Sequence, residues 1–541
     1  MLSKKRNASG IRHLSSARSK WLPFLLFGAL LLALPAIGYT IFNADKTLLL
    51  GAVFGVLIVV LSITKPESAT LAVVFVFYTN LAVVAKTLHG VPGVVAGSFS
   101  LLLCLPLANY LFIRRQKIII DYPFLLMILF LALATASTLL MSIDIDRSLA
   151  WILEYLLEGV ALYFLFVNVI RNLTIFKKVV WMLLFVGTLL GSMSLYQELF
   201  SDYKSTFWGL AQRSKEIEFE DEFYGDVYGQ GGIIKSREKV GGKNRSGGPI
   251  GKPNRYAQIM VVLLPLALFR FWGERKKFLK YFALFSTLII LGGVLLTYSR
   301  GTFLTMVMLF FLLALFKYIR PGQIVATVLV VILMMIVAAP GYFARVDTLR
   351  GIEGLFSKSA EVRPDGTTRG RLTEMLAAFM AFLDYPVLGV GPAQYTEFYS
   401  NEYQSDPDIA FRFLGRNRRA HTLYFEFMAE FGLLGFGVFM SIIFLMMYRL
   451  WHIRRASVKL KPDMAYLAMS LWFAILAYLG TAIFLHLSYQ RYLWFLLAIS
   501  GAFVHIYREM AAETEQKEEQ TTPKVRTVES VPFNSTPLQT P

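Results

Sequence analysis

Cys104 is the only cysteine in 541 residues, so no intrachain disulfide can staple the fold. It lies in an apolar segment, where an isolated thiol behaves as a small hydrophobe. Charge is scarce too. Asp, Glu, Lys and Arg make up 17% of residues against 56% hydrophobic ones, more apolar surface than a water-soluble chain of this size can hide. The sequence has no G-x-x-x-x-G-K-[ST] loop, which argues against an ATP-driven pump. It has no H-E-x-x-H and no paired C-x-x-C to hold a metal. No internal repeat is visible, which weakens a transporter built from duplicated halves.

The sequence does contain a series of apolar runs close to the ~20 residues that span a bilayer. They start near residues 21, 47, 69, 93, 122, 149, 178, 255, 279, 302, 322, 422, 464 and 492. This predicts an all-α polytopic membrane protein with about 14 transmembrane helices, in a range of about 12–14. The runs divide the chain into a basic amino terminus (1–20), N-terminal helices (21–200), a first long loop (201–254), central helices (255–339), a second long loop (340–421), C-terminal helices (422–507) and a polar, disordered tail (508–541).

The net charge is +18, which in a soluble chain would suggest nucleic acid. Here the basic residues follow the loops, so no nucleic-acid partner is expected. With the amino terminus inside, the inside loops hold "RRQK" (114–117), "RNLTIFKK" (171–178), "RFWGERKKFLK" (270–280), "KYIR" (317–320) and "RLWHIRRASVKLK" (449–461). The short outside loops carry one basic residue each: Lys46, Lys86, Arg147, Arg300 and Arg491. That alternation places both termini in the cytoplasm and both long loops outside.

Several outside residues are candidates for chemistry. In "GRLTEMLAAFMAFLDYP", Leu372, Met375, Leu376, Phe379 and Leu383 share one helix face, predicting an amphipathic surface helix over 371–384 that Pro386 helps to end. Arg371 stands at its amino-terminal end, where the helix dipole and the guanidinium both favour an anion. A solvated arginine is the competing account. "TYSRGTFL" places Arg300 in a short outside turn, where an arginine can also merely snorkel to headgroups. His421 is the one histidine of the long outside loops and the natural base near neutral pH. Arg412, Arg416, Arg418 and Arg419 precede it, with anionic lipid as their simpler partner. "SIDIDRS" offers Asp144-x-Asp146, a weak pattern for a divalent cation that reads more simply as a polar loop. The glycines of "GGKNRSGGPIGKPN" can expose backbone N–H groups to an anion or simply form a flexible loop.

Together these pieces resemble the O-antigen ligase and O-antigen polymerase superfamily. In "HTLYFEFMAEFGLLG", His421 and Thr422 are followed by nine residues and then Gly432-Leu433-Leu434-Gly435, similar to the family's histidine signature. "GR…P-V-L-G-V-G" resembles its arginine block, matching Arg371, and "YSRG" resembles its outer-loop arginine site, matching Arg300. "GGPIGKPNRYA" resembles its G…PN…A stretch, matching Asn254 and Ala257. The resemblance covers roughly residues 240–440.

The resemblance implies a GT-C type helical fold without cofactor or required metal, in the bacterial inner membrane with its site facing outward. It implies transfer of a glycan from undecaprenyl diphosphate to a hydroxyl, on a second glycan or on a lipid A core. His421 would be the catalytic base, and Arg300 and Arg371 would bind the donor diphosphate. Arg416, Arg418, Arg419 and Asn254 would be accessory. Membrane lipids are the remaining partners. The reading from a different class is a polysaccharide transporter or flippase, which should carry ionisable residues deep in its spans. Only Glu154, Glu158 and Glu198 stand out there.

Overall fold

The helices start where local chemistry lets them. Asp121, Asp144 and Asn172 each accept the backbone N–H three residues on, at 3.0, 3.0 and 2.8 Å, and so cap three of them. Proline opens three more, at Pro66, Pro253 and Pro462, where its missing N–H costs nothing. The computed structural model describes residues 65–202, 204–212, 239–240, 243–337, 366–409, 418–458, 461–487 and 490–521. The described residues are almost wholly helical, apart from a short antiparallel pair, Lys239–Val240 with Lys243–Asn244.

Nine helices among the described residues are long and apolar enough to cross a membrane. A bent pair, Glu67–Tyr78 and Leu81–His89, makes ten if its 56° break lies within one span. This is fewer than the fourteen that the hydropathy pattern predicts. The first two predicted spans lie outside the described residues. Two more are helices too short for the full hydrocarbon thickness, Arg300–Leu315 and Pro321–Val337, of 16 and 17 residues. The polytopic, α-helical character stands.

Aromatic packing holds the bundle centre. Phe130 is fully buried, with ring centroids 5.2 Å from Tyr155, 5.0 Å from Phe431 and 6.0 Å from Phe439. It thereby joins the Tyr122–Met141, Ile145–Val169 and Leu423–Ser457 helices. Trp494 extends the cluster from the last helix, 5.2 Å from Tyr155 and 5.9 Å from Phe439.

The loops sort into two poles. At one, Arg171 donates to the Lys117 carbonyl at 2.8 Å, Lys177 and Arg270 both pair with Asp463, and Arg454 reaches the Tyr318 hydroxyl at 3.1 Å. All five loops predicted to share the basic side are therefore linked there. At the other pole, Arg147 approaches Glu397 at 3.5 Å, and buried Gln394 pairs with both backbone groups of Asp144 at 3.1 and 2.8 Å. Asp144 therefore acts as a helix cap and a docking point for the 386–399 segment, which favours the polar-loop reading of "SIDID".

One break decides how that second pole is assembled. Inside the Leu423–Ser457 helix, Gly432 has φ 59° and ψ −164°, a region essentially restricted to glycine. The break frees carbonyls that the loop after Gly366–Asp384 takes up. Val390 and Gly391 donate to Ala429 and Glu430 at 2.8 and 3.0 Å, while Leu433 and Leu434 donate to Pro386 and Val387 at 2.8 and 3.3 Å. A Cβ on Gly432 would lie 2.3 Å from the Val387 oxygen, and one on Gly389 would lie 2.4 Å from the Glu430 carbonyl carbon. Gly432→Ala should therefore destabilise the protein by roughly 3 kcal/mol, combining backbone strain and overpacking. Gly437→Ala, whose Cβ meets nothing within 4 Å, should stay within about 0.5 kcal/mol of the parent. Thermal unfolding in detergent reads both, and equal midpoints would remove the break's structural role.

Candidate functional site

The interlocked loop and helix bring two groups of side chains to the same pole. The first surrounds a cavity of about 100 Å³ lined by Arg245, Asn254, Ser299, Arg300, Arg371 and Thr481, among others. Arg300 is the first residue of its helix. Asn254 lies in the first turn of Pro253–Val261, and its Oδ1 accepts from Arg245 Nη2 at 2.7 Å. Arg245 is buried and also donates to the Thr297 carbonyl at 2.8 Å. Arg371 enters from the Gly366–Asp384 helix.

No carboxylate lines this cavity among the described residues. Three guanidiniums lining one space favour an anion, and their planar forks match phosphate oxygens. The volume falls below the roughly 300–1,000 Å³ that encloses a whole small-molecule ligand. It suits an anionic headgroup.

The second group centres on His421. Its Nδ1 is 2.7 Å from Glu374 Oε2 and 2.9 Å from the Arg419 carbonyl. Its ring meets that of His486 edge to face, at 5.7 Å and 78°. Its backbone φ is 53°, a left-handed conformation unusual for any residue but glycine. Buried Glu426 helps hold that turn by pairing with Arg419 and accepting the Ala420 N–H at 3.1 Å. Arg418 Nε sits 2.7 Å from Glu374 Oε1.

The two groups touch through one helix turn, since Arg371 lines the cavity and Glu374, three residues on, meets His421. Two tyrosines complete the wall. Burial above all, and the Glu374 carboxylate next, push Tyr399 up to about 12 and Tyr395 well above the usual tyrosine value. Both therefore remain protonated near neutral pH, and the Tyr395 hydroxyl donates to the Glu374 carbonyl at 2.5 Å. Neither phenol can serve as a base there.

Of the residues expected from the sequence, Arg300, Arg371 and Asn254 share the cavity, and His421 is its neighbour. Arg418 and Arg419 are paired with the buried carboxylates of Glu374 and Glu426. Arg412 and Arg416 lie outside the described residues. Glu374, Arg245 and His486 carried no signal in local spacing, because their partners are remote along the chain.

Residues 285–440 match a protein-family model described as O-antigen ligase. Less than a third of the chain is therefore similar to that family. No curated protein matches the sequence. The matched stretch is shorter at its amino-terminal end than the resemblance read by eye. It contains Arg300, Arg371 and His421 but leaves out Arg245 and Asn254. The match supports a role as a membrane glycan-processing enzyme of the O-antigen ligase or polymerase type.

The Arg419–Glu426 pair can be tested separately from chemistry. The Glu426 side chain is fully buried, so Arg419→Ala would leave an uncompensated carboxylate at a cost of about 3–5 kcal/mol. Adding Glu426→Ala should restore part of that loss. A chemical-unfolding series of the two single variants and the double variant reads the coupling, and strict additivity would show no interaction.

Proposed function

We propose that the protein transfers a glycan from undecaprenyl diphosphate to a hydroxyl acceptor at the outer face of the bacterial inner membrane. The observation that carries this reading is a cavity lined by three guanidiniums and, among the described residues, by no carboxylate, one helix turn from a histidine 2.7 Å from a buried glutamate. The acceptor oxygen attacks the anomeric carbon and forms the new C–O bond. The C–O bond to the diphosphate breaks, and its electron pair leaves on the diphosphate. The guanidiniums stabilise that growing charge more in the transition state than in the ground state. The hydroxyl proton passes to His421 Nε2.

Direct attack inverts the anomeric centre. The arginines provide the charge neutralisation that a divalent cation would otherwise supply, which supports a reaction without metal. The acceptor is a second glycan or a lipid A core. A GT-C type fold with both termini cytoplasmic completes the proposal.

Arg491 at the start of the last helix pairs inside the protein with Glu158 at 3.1 Å and with Asn80. Such pairing supports an enzyme facing one surface over a transport path through the spans.

Transfer by the reconstituted protein, with donor extracted from membranes that accumulate lipid-linked glycan, tests the chemistry. Arg371→Lys keeps the charge and loses the planar fork, and Arg300→Ala loses both. Each should slow transfer about a hundredfold, or ~3 kcal/mol. His421→Gln should be inactive, because an amide cannot accept the proton. Wild-type transfer should survive a chelator. Near-normal turnover of Arg371→Ala would reduce that arginine to a surface charge, and an active His421→Gln would move the proton elsewhere.

Sidedness has its own test. On a Cys104→Ala background, Ser400→Cys should react with a membrane-impermeant thiol reagent in intact spheroplasts, and Ala456→Cys should not. Labelling of position 456 alone would place the site on the cytoplasmic side.

A further inference from the structure

We propose that Glu374 is the positioning residue for His421, fixing its tautomer and stabilising the imidazolium that forms as the acceptor loses its proton. The proposal rests on the transfer reaction above and names a part of the site not assigned there.

The geometry is specific. His421 Nδ1 makes its hydrogen bond to the Arg419 carbonyl at 2.9 Å, and Glu374 Oε2 lies 2.7 Å away as a charge contact. A neutral imidazole between them carries its proton on Nδ1, which leaves the lone pair on Nε2 for the acceptor hydroxyl. When Nε2 takes the proton, the new positive charge lies beside a carboxylate shielded from water, where the attraction is little screened. That contact is strengthened only as the transition state is approached.

Glu374 is itself held from three sides. Its side chain is fully buried, Arg418 Nε lies 2.7 Å from Oε1, and the Tyr395 hydroxyl binds its backbone carbonyl. Arg418 compensates the buried charge through one oxygen and leaves the other directed at the imidazole. A carboxylate that served only to anchor the Arg418 segment would need no second oxygen against His421. The same turn of helix carries Arg371 into the cavity, so one rigid element places the diphosphate-binding fork and the group that orients the base.

The test uses the full-length protein in nanodiscs, with transfer kinetics, undecaprenyl diphosphate binding and thermal stability measured for each variant. Glu374→Gln should lower kcat about a hundredfold. The donor KM and the affinity for undecaprenyl diphosphate should stay within a factor of about three, because the lost interaction belongs to the transition state. Glu374→Asp, which keeps the charge, should recover part of kcat. Glu374→Gln combined with His421→Gln should be no slower than His421→Gln alone, since the two residues act as one unit.

A Glu374→Gln enzyme with near wild-type kcat would overturn the proposal while leaving the transfer reaction intact. So would a loss of stability and binding in both Glu374→Gln and Glu374→Asp, which would make the residue a structural anchor. A wild-type protein that binds undecaprenyl diphosphate but transfers nothing would remove the reaction itself and this role with it.

Discussion

The site depends on a helix that is broken at one residue. A continuous Leu423–Ser457 helix would use the Ala429 and Glu430 carbonyls internally and leave the 386–391 loop without acceptors. The Gly432 break turns those carbonyls toward Val390 and Gly391, and the Pro386 and Val387 carbonyls accept in turn from Leu433 and Leu434. Exposed backbone is costly at a membrane surface unless it is paired within the protein. The pairing fixes the end of the Gly366–Asp384 helix against the start of the histidine-bearing one. The G-x-x-G and P-x-x-G-x-G stretches, which look like two separate signatures in the sequence, are the two halves of one lock.

Charge is divided around that lock. Buried carboxylates at Glu374 and Glu426 take up Arg418 and Arg419, which form the walls of the site. Buried Glu430 accepts backbone N–H groups from Ala393 and Tyr395 instead. Arg245, Arg300 and Arg371 surround a cavity that no carboxylate lines among the described residues. Positive charge gathered around one space favours an anion there. A diphosphate fits, because its charge can be matched by several guanidinium forks at once.

Much of this was legible in the sequence. Hydropathy located the helices, and the basic loops sorted correctly into one pole because each holds several Lys or Arg near helix ends. Arg300, Arg371, Asn254 and His421 were singled out because each belongs to a recognisable local pattern, and the first three line one cavity. Among the described residues fewer full spans stand than the pattern predicts, because hydropathy does not distinguish a 16-residue helix from a full span.

The amphipathic helix was found with its orientation incomplete. Leu376, Phe379 and Leu383 share the expected face, and all three are exposed, whereas Thr373, Glu374, Ala377, Ala378 and Ala381 are buried. At a membrane, large apolar side chains can face lipid while small ones let helices approach closely. A search for the greasiest face therefore pointed away from Glu374. Arg245 was missed for a different reason, since its meaning lies in the approach of residues 297 and 300, which spacing cannot reveal.

Because Arg371 and Glu374 are separated by roughly 4.5 Å of helical rise, the headgroup site and the base's support cannot drift independently. The proposed in-line transfer needs that restraint. The leaving diphosphate and the deprotonating hydroxyl must sit on opposite sides of one anomeric carbon, and errors of about 1 Å can cost two orders of magnitude in rate. A loop carrying either group would supply less precision than a helix carrying both. The histidine adds a second restraint, since its left-handed backbone and the two contacts at Nδ1 leave the ring little freedom to turn. The backbone lock, the shared helix and the strained histidine thus act on the same quantity, the separation between where negative charge leaves and where a proton is taken.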